Sequence, residues 1–166
     1  MFRIRTNVKE VGLLEAITRY IATFKQMEVV TREEAIDGLS VVLNESGYVK
    51  ETFLSAVLER EKVHPTGLPA AVGVAIPHTD TEHVLKPALA VGVLENPVPF
   101  QVMGNPEENV EVKIVFLLAM KEPQAQLDLL QKLMGLLQNE ELLIQLSKSE
   151  NLEQAKKIFS TIPIGE

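Results

Sequence analysis

The sequence predicts a mixed α/β domain in which a central sheet is covered by helices. Three observations carry that reading. Segments with apolar residues at helical spacing stand at both ends of the chain. Between them lie three short runs rich in Val, Ile, Leu and small residues, at 70–76, 88–95 and about 111–121, each bounded by turn signals. Such runs suit strands buried on both faces, and the flanking helices supply the covering layers. No linker, repeat or low-complexity segment divides the chain. Its 166 residues, 46% hydrophobic, suffice for one domain with a sizeable core and are marginal for two.

Each element follows in order. Residues 10–26 carry Leu13, Leu14, Ile17, Ile21 and Phe24 at helical spacing, which predicts a helix. "MEVV" (27–30) reads as a short strand. Thr31 with Glu34 fits a capping box for a helix through about Leu43, which Gly47 would stop. "ETFLSAVLERE" (51–61) predicts another helix, ending before "HPTGLP". The three apolar strands come next, with "NPVPF" and "MGNPEEN" between them as turns or a short edge strand. Helical periodicity returns over 123–138, with Pro123 well placed in the first turn. "EELLIQLSK" and "NLEQAKKIFS" give two more short helices.

Composition narrows the function. The net charge is −7 with 23% charged residues, a poor basis for binding nucleic acid through counterion release, although it would steer a basic partner. There is no cysteine, hence no disulfide and no thiol nucleophile. The N-terminal stretch lacks the pattern of a signal peptide, and no run approaches the length of a membrane span, so a soluble cytoplasmic domain is expected. The P-loop lysine motif, G-x-G-x-x-G, G-x-S-x-G and H-E-x-x-H are all absent. The glycines of "TGLPAAVGVA" are spaced for turns and close packing, so the chain is not expected to bind ATP, and no cofactor is expected.

The candidate site centres on "GVAIPHTD" (73–80). His78 is where a buried strand would deliver its first loop residue, the end at which sites form in open α/β sheets. Pro77 fixes its own φ and biases Ile76 towards extended geometry. The imidazole then stands on a stiff stem and can act as a nucleophile near neutral pH; the alternative is a loop histidine with no role. Arg60 and Glu61 fall in the last turn of the preceding helix. An arginine there could clamp a phosphoryl group with its planar fork, or simply complement the helix dipole. His83 joins His78, Asp80 and Glu82 in a cluster of possible ligands. With His64 it would make a third histidine, but the spacing matches no standard zinc signature, and no metal is expected.

Taken together, "LEREKVHPTGLPAAVGVAIPHTD" resembles the active-site segment of the enzyme IIA domains of the bacterial sugar phosphotransferase system, in the fructose–mannitol superfamily. The matching positions are Arg60 and Glu61, Thr66 and Gly67, then Ala75, Ile76, Pro77 and His78. The resemblance covers about residues 29–160 and implies the type-2 enzyme IIA fold for 29–166; residues 1–28 have no counterpart in it and are expected, from their periodicity, to form an N-terminal helical extension. It implies that His78 accepts a phosphoryl group from phospho-HPr, assisted by Arg60, and passes it to the cysteine of a cognate enzyme IIB. Glu61, Thr66, His83 and Gln126 are implied as phosphoryl- or partner-binding. The mannitol-type branch has a second histidine where "QLDLL" here places Gln126, an uncharged amide. The glutamines of this segment and the His78–His83 spacing resemble the galactitol-specific branch. A regulatory module of the nitrogen-linked type is the alternative role for the same fold.

Overall fold

The computed structural model describes residues 17–161. Among these residues one five-stranded sheet forms from β1 (Ile21–Met27), β2 (Gly67–Leu68), β3 (Val74–Ala75), β4 (Ala88–Val102) and β5 (Asn105–Ala119). The helices are α1 (Arg32–Glu45), α2 (Phe53–Val63), α3 (Pro123–Leu136), α4 (Glu140–Ser147) and α5 (Leu152–Thr161). β4 and β5 form a long antiparallel hairpin. β1 lies parallel to the first half of β4, and β3 lies parallel to β5 at Val74↔Ile114 and Ala75↔Val115. β2 closes the far side, antiparallel to β3 and touching β4 at Gly67↔Val102.

Alternation along β4 and β5 divides the core. Ala90, Leu94, Val115 and Leu117 face Ile36, Leu39, Leu43, Phe53 and Val57 of α1 and α2. Leu89, Val91, Ile114, Phe116 and Leu118 face the other way, onto α3, α4 and α5 through residues such as Leu133, Leu143 and Phe159. A sheet covered on both faces explains why these strands read as unbroken apolar runs. At the start of α1 the Thr31 hydroxyl accepts from Glu34 N–H at 3.1 Å, as the capping signal predicts, while the Glu34 carboxylate reaches back to Val30 N–H rather than to Thr31.

Three expectations need correction. Residues 17–20 are helical, but 21–27 are strand and belong to the sheet, so the helix expected over 10–26 and the helical extension expected through residue 28 do not hold there. Pairing with β4 overrides the helical spacing of Ile17, Ile21 and Phe24. A register shift between Ile21 and Thr23 also hides the strand, because Ile21 packs on one face and Met27 on the other despite an even separation. Residues 10–16 of that expected helix lie outside the described residues. The strand expected at 27–30 ends at Met27. Of the two readings of "NPVPF" and "MGNPEEN", the edge strand holds: "NPVPF" and most of "MGNPEEN" are the outer arms of β4 and β5, turning at Met103–Gly104, where Gly104 takes the positive φ (76°) of a tight turn. Pro97 and Pro99 are tolerated because that part of β4 is an edge.

Candidate active site

The site lies where β3 and β5 end. β3 hands the chain to Ile76, Pro77 and His78; β5 hands it through Met120 to α3. Two backbone bonds fix the stem of His78: Ile76 N–H donates to Thr66 O (3.3 Å), and Leu118 N–H donates to Pro77 O (3.1 Å). Further along, the loop is tied to the α1–α2 junction by a bridge between Val49 and Val84 and by Lys50 N–H donating to His83 O at 2.9 Å.

His78 is 7% exposed. Its Nδ1 stands 2.8 Å from the Ile76 carbonyl. A carbonyl only accepts, so Nδ1 carries the proton and the unprotonated Nε2 keeps its lone pair. Burial lowers the His78 pKa below its usual value; the Arg60 charge acts in the same direction, against the Ile76 hydrogen bond and Asp80. The ring is therefore neutral and nucleophilic at neutral pH.

Beside it opens a depression of about 440 Å³. Arg60 enters it from the last turn of α2, and Gln126 with Pro123, Leu127 and Leu130 from α3. Asp80, Thr81 and Glu82 form the rim. The Arg60 Nε is buried and has no hydrogen-bond partner, and the same holds for Gln126 Oε1. Gln126 donates its amide Nε2–H to Thr79 O at 3.2 Å, which sets the orientation of the amide. A neutral nucleophile beside an unpartnered guanidinium can accept an electrophilic group that carries negative charge. Arginine then holds the equatorial oxygens while nitrogen attacks in line.

The structure thus brings three of the expected residues to one depression: His78, Arg60 and Gln126. Glu61 and Thr66 are placed beneath it, 3% and 2% exposed, with their polar side-chain atoms bonded to each other. Burial denies them the direct phosphoryl or partner contact expected from the sequence. His83 is also absent from the lining. Its Nδ1 shares a 2.8 Å hydrogen bond with Thr52 Oγ1, and its Nε2 lies 3.5 Å from Glu82. His64 caps α2 and is exposed, and among the described residues no group of three His, Cys, Asp or Glu side chains is placed to hold a metal ion. The sequence reading missed the apolar wall of Leu127 and Leu130. Its signal was available: Pro123, Gln126, Leu127 and Leu130 stand at i, i+3, i+4 and i+7, one face of a helix, and Leu127 is 49% exposed.

Fold and site define a small α/β domain that presents one neutral imidazole and one free guanidinium to an anionic group. The family model described as phosphoenolpyruvate-dependent sugar phosphotransferase system, EIIA 2, matches residues 17–162, and the chain belongs to that family. Domains of this kind are phosphotransferases that carry phosphohistidine. The galactitol-specific EIIA component of Escherichia coli (strain K12) is 33% identical over 110 residues, 66% of this chain and 73% of that protein. The transcriptional regulator ManR of Bacillus subtilis (strain 168) is 30% identical over 117 residues, 70% of this chain but 16% of the regulator. The chain spans between 16% and 21% of ManR and of the longer fructose- and mannosylglycerate-specific components it matches. Among solved structures, the cryptic mannitol-specific enzyme IIA CmtB of Escherichia coli superposes with a TM-score of 0.70 at 25% identity, covering 87% of this chain and 98% of that one. Enzyme IIA in a complex of mannitol IIA with phosphorylated IIB from Escherichia coli superposes at 0.67 with 22% identity, covering 82% and 92%, and shares the fold. Among the described residues no helix is long and apolar enough to cross a membrane.

Proposed function

We propose that this chain is a cytoplasmic phosphocarrier that takes a phosphoryl group from phospho-HPr onto His78 Nε2 and passes it to the cysteine of an enzyme IIB. One observation carries the reading: Nδ1 of a buried histidine is tied to the Ile76 carbonyl, so Nε2 is the nucleophile, beside a guanidinium Nε with no partner. In the transfer the donor P–N bond breaks as the Nε2–P bond forms. The ring becomes positively charged while Nδ1 keeps its proton, and the Ile76 carbonyl stabilises that charge. Arg60 offsets the charge on the equatorial oxygens. On the second transfer the same cationic ring is a good leaving group, and the bond to phosphorus breaks as sulfur attacks. Gln126 orients the depression through Thr79 without adding a second titrating group.

Similarity to the galactitol-specific component supports galactitol as the downstream sugar. Similarity to ManR supports a second reading, a regulatory module whose phosphorylation state is sensed by a partner. Incubation with phosphoenolpyruvate, enzyme I and HPr, followed by intact mass measurement, tests the carrier role. One acid-labile phosphate is expected on the native chain and none on His78→Ala. Full phosphate uptake by His78→Ala overturns the assignment. Onward passage to a galactitol-type IIB cysteine, and not to mannitol- or fructose-type ones, separates transport with that sugar from the alternatives.

A further inference from the structure

We propose that Glu61 is a positioning residue that sets the ring of His78 through Thr66 and Ile76. This rests on His78 being the phosphoryl acceptor. A carboxylate at 3% exposure is costly to bury unless its oxygens find donors. Here every partner belongs to one residue. Oε1 accepts from Thr66 N–H at 2.9 Å, and the Thr66 hydroxyl lies 2.9 Å from Oε2 and 3.2 Å from Oε1. Arg60, the preceding residue of α2, makes no ion pair with Glu61 within 4.0 Å, and its Nε is buried without a hydrogen-bond partner.

The clamped residue leads directly to the nucleophile. Thr66 O accepts from Ile76 N–H, and Ile76 O accepts from His78 Nδ1–H. The two ends of the Ile76 residue are thus held in series, one by Thr66 and the other by the imidazole. β2 and β3 contribute only two residues each, so the sheet alone holds this corner weakly. Gly67 fixes the other side: a Cβ there would fall 2.6 Å from Gln101 O, so the strand lies hard against β4. Thr66 is therefore set between the β4 backbone and the Glu61 carboxyl group, which takes bonds from both its N–H and its hydroxyl. Releasing it lets the Ile76 carbonyl turn away from Nδ1, which frees the imidazole to protonate at either nitrogen.

Ring 15N–1H spectra of His78, recorded without any phosphoryl donor, read the clamp directly. A single neutral tautomer protonated at Nδ1 is expected for the native chain. Glu61→Ala should show both tautomers and, per folded molecule, phosphoryl uptake slowed about a hundredfold, the scale of a 1 Å misplacement of a reacting group. Glu61→Gln keeps an oxygen for Thr66 N–H and should restore the Nδ1–H tautomer and most of the rate. If Glu61→Ala does not fold, Thr66→Val removes only the hydroxyl and should shift the tautomer ratio in the same direction. A lowered melting temperature with an unchanged tautomer and an unchanged rate would mean that Glu61 only holds the fold, and overturns the proposal. So would Glu61→Gln failing to restore the tautomer. If the native chain takes no phosphate, the acceptor role fails, while the tautomer spectra still decide the clamp.

Discussion

The layer beneath His78 and the depression above it treat polar atoms in opposite ways. Beneath, Glu61, Thr66 and Ile76 satisfy one another at 2.9–3.3 Å and are sealed from solvent. Above, Arg60 Nε and Gln126 Oε1 are buried without partners, and His78 Nε2 presents a free lone pair. Arg60 and Glu61 make the contrast sharpest, since neighbouring residues of one helical turn go to the two layers. A buried polar atom without a partner costs roughly 1–3 kcal/mol; of the two beside His78, the Arg60 Nε–H is a donor that an anionic group can satisfy, whereas Gln126 Oε1 is an acceptor and needs a donor. A satisfied buried network holds geometry instead. On the proposed reading the upper layer carries the chemistry and the lower layer aims it.

The largest way to break this contrast in the upper layer, short of removing His78, is Arg60→Ala. Removing a group that stabilises transition-state charge costs about 2.7–4 kcal/mol, or a hundredfold or more in rate. Phosphoryl uptake from HPr should slow by about that factor, with little change in melting temperature, because Arg60 makes no bond that the fold needs. The His78 pKa should also rise towards its ordinary value as one lowering influence is lost. An unchanged uptake rate would return Arg60 to the role of a solvated helix end.

Much of this was legible in the sequence, and the reasons for the rest are physical. His78 and Arg60 stand on side-chain chemistry and on the rigid Ile76-Pro77 stem, which a sequence displays. The partner of Nδ1 is a backbone carbonyl, and backbone atoms leave no mark in the sequence. The Gln126–Thr79 bond joins residues 47 apart, beyond any local pattern. Glu61 beside Arg60 looked like a second polar contact; only the path of the chain after α2 turns it inward onto Thr66. Among the elements, β4 and β5 are recognisable where both faces are buried and left open between turns and an edge strand in their outer arms, where one edge is open and proline is allowed. β1 was lost because a register shift breaks the period of two.

Acidity probes the upper layer next. With the folded pKa of His78 lowered by burial below the usual histidine value of 6.5, the neutral ring dominates at pH 7. Phosphoryl uptake should hold steady as pH falls through 6.5 and decline only below the depressed folded pKa, by about tenfold per unit. Stability follows the same sign. Between 6.5 and the folded pKa the unfolded chain binds more protons than the folded one, so this group's contribution is full above 6.5 and is lost as pH falls through that window. Histidine NMR titration together with uptake rates checks both. Gln126→His should stay active and add a second step, because it puts another imidazole in the depression. A native profile that already falls above pH 6.5 would contradict the buried neutral ring.

The smallest effect is expected from His83, which tests whether the loop beyond His78 belongs to either layer. Its side chain is 22% exposed, bonded to Thr52 Oγ1 at 2.8 Å and lying 3.5 Å from the exposed Glu82 carboxylate. Neither partner lies in the buried clamp, and His83 does not line the depression. His83→Gln should therefore transfer phosphate from HPr within about twofold of the native rate. Stability should fall by roughly 0.5–1 kcal/mol, the lower part of the range for one intramolecular hydrogen bond, because this bond is partly open to water. Thr52→Ala should cost a similar amount. The double variant should cost clearly less than the two losses combined, because both remove one shared bond. A tenfold or greater loss of transfer in His83→Gln, without a matching loss of folded protein, would place His83 on the phosphoryl group during transfer. The upper layer would then extend along the loop, further than its resting geometry reaches.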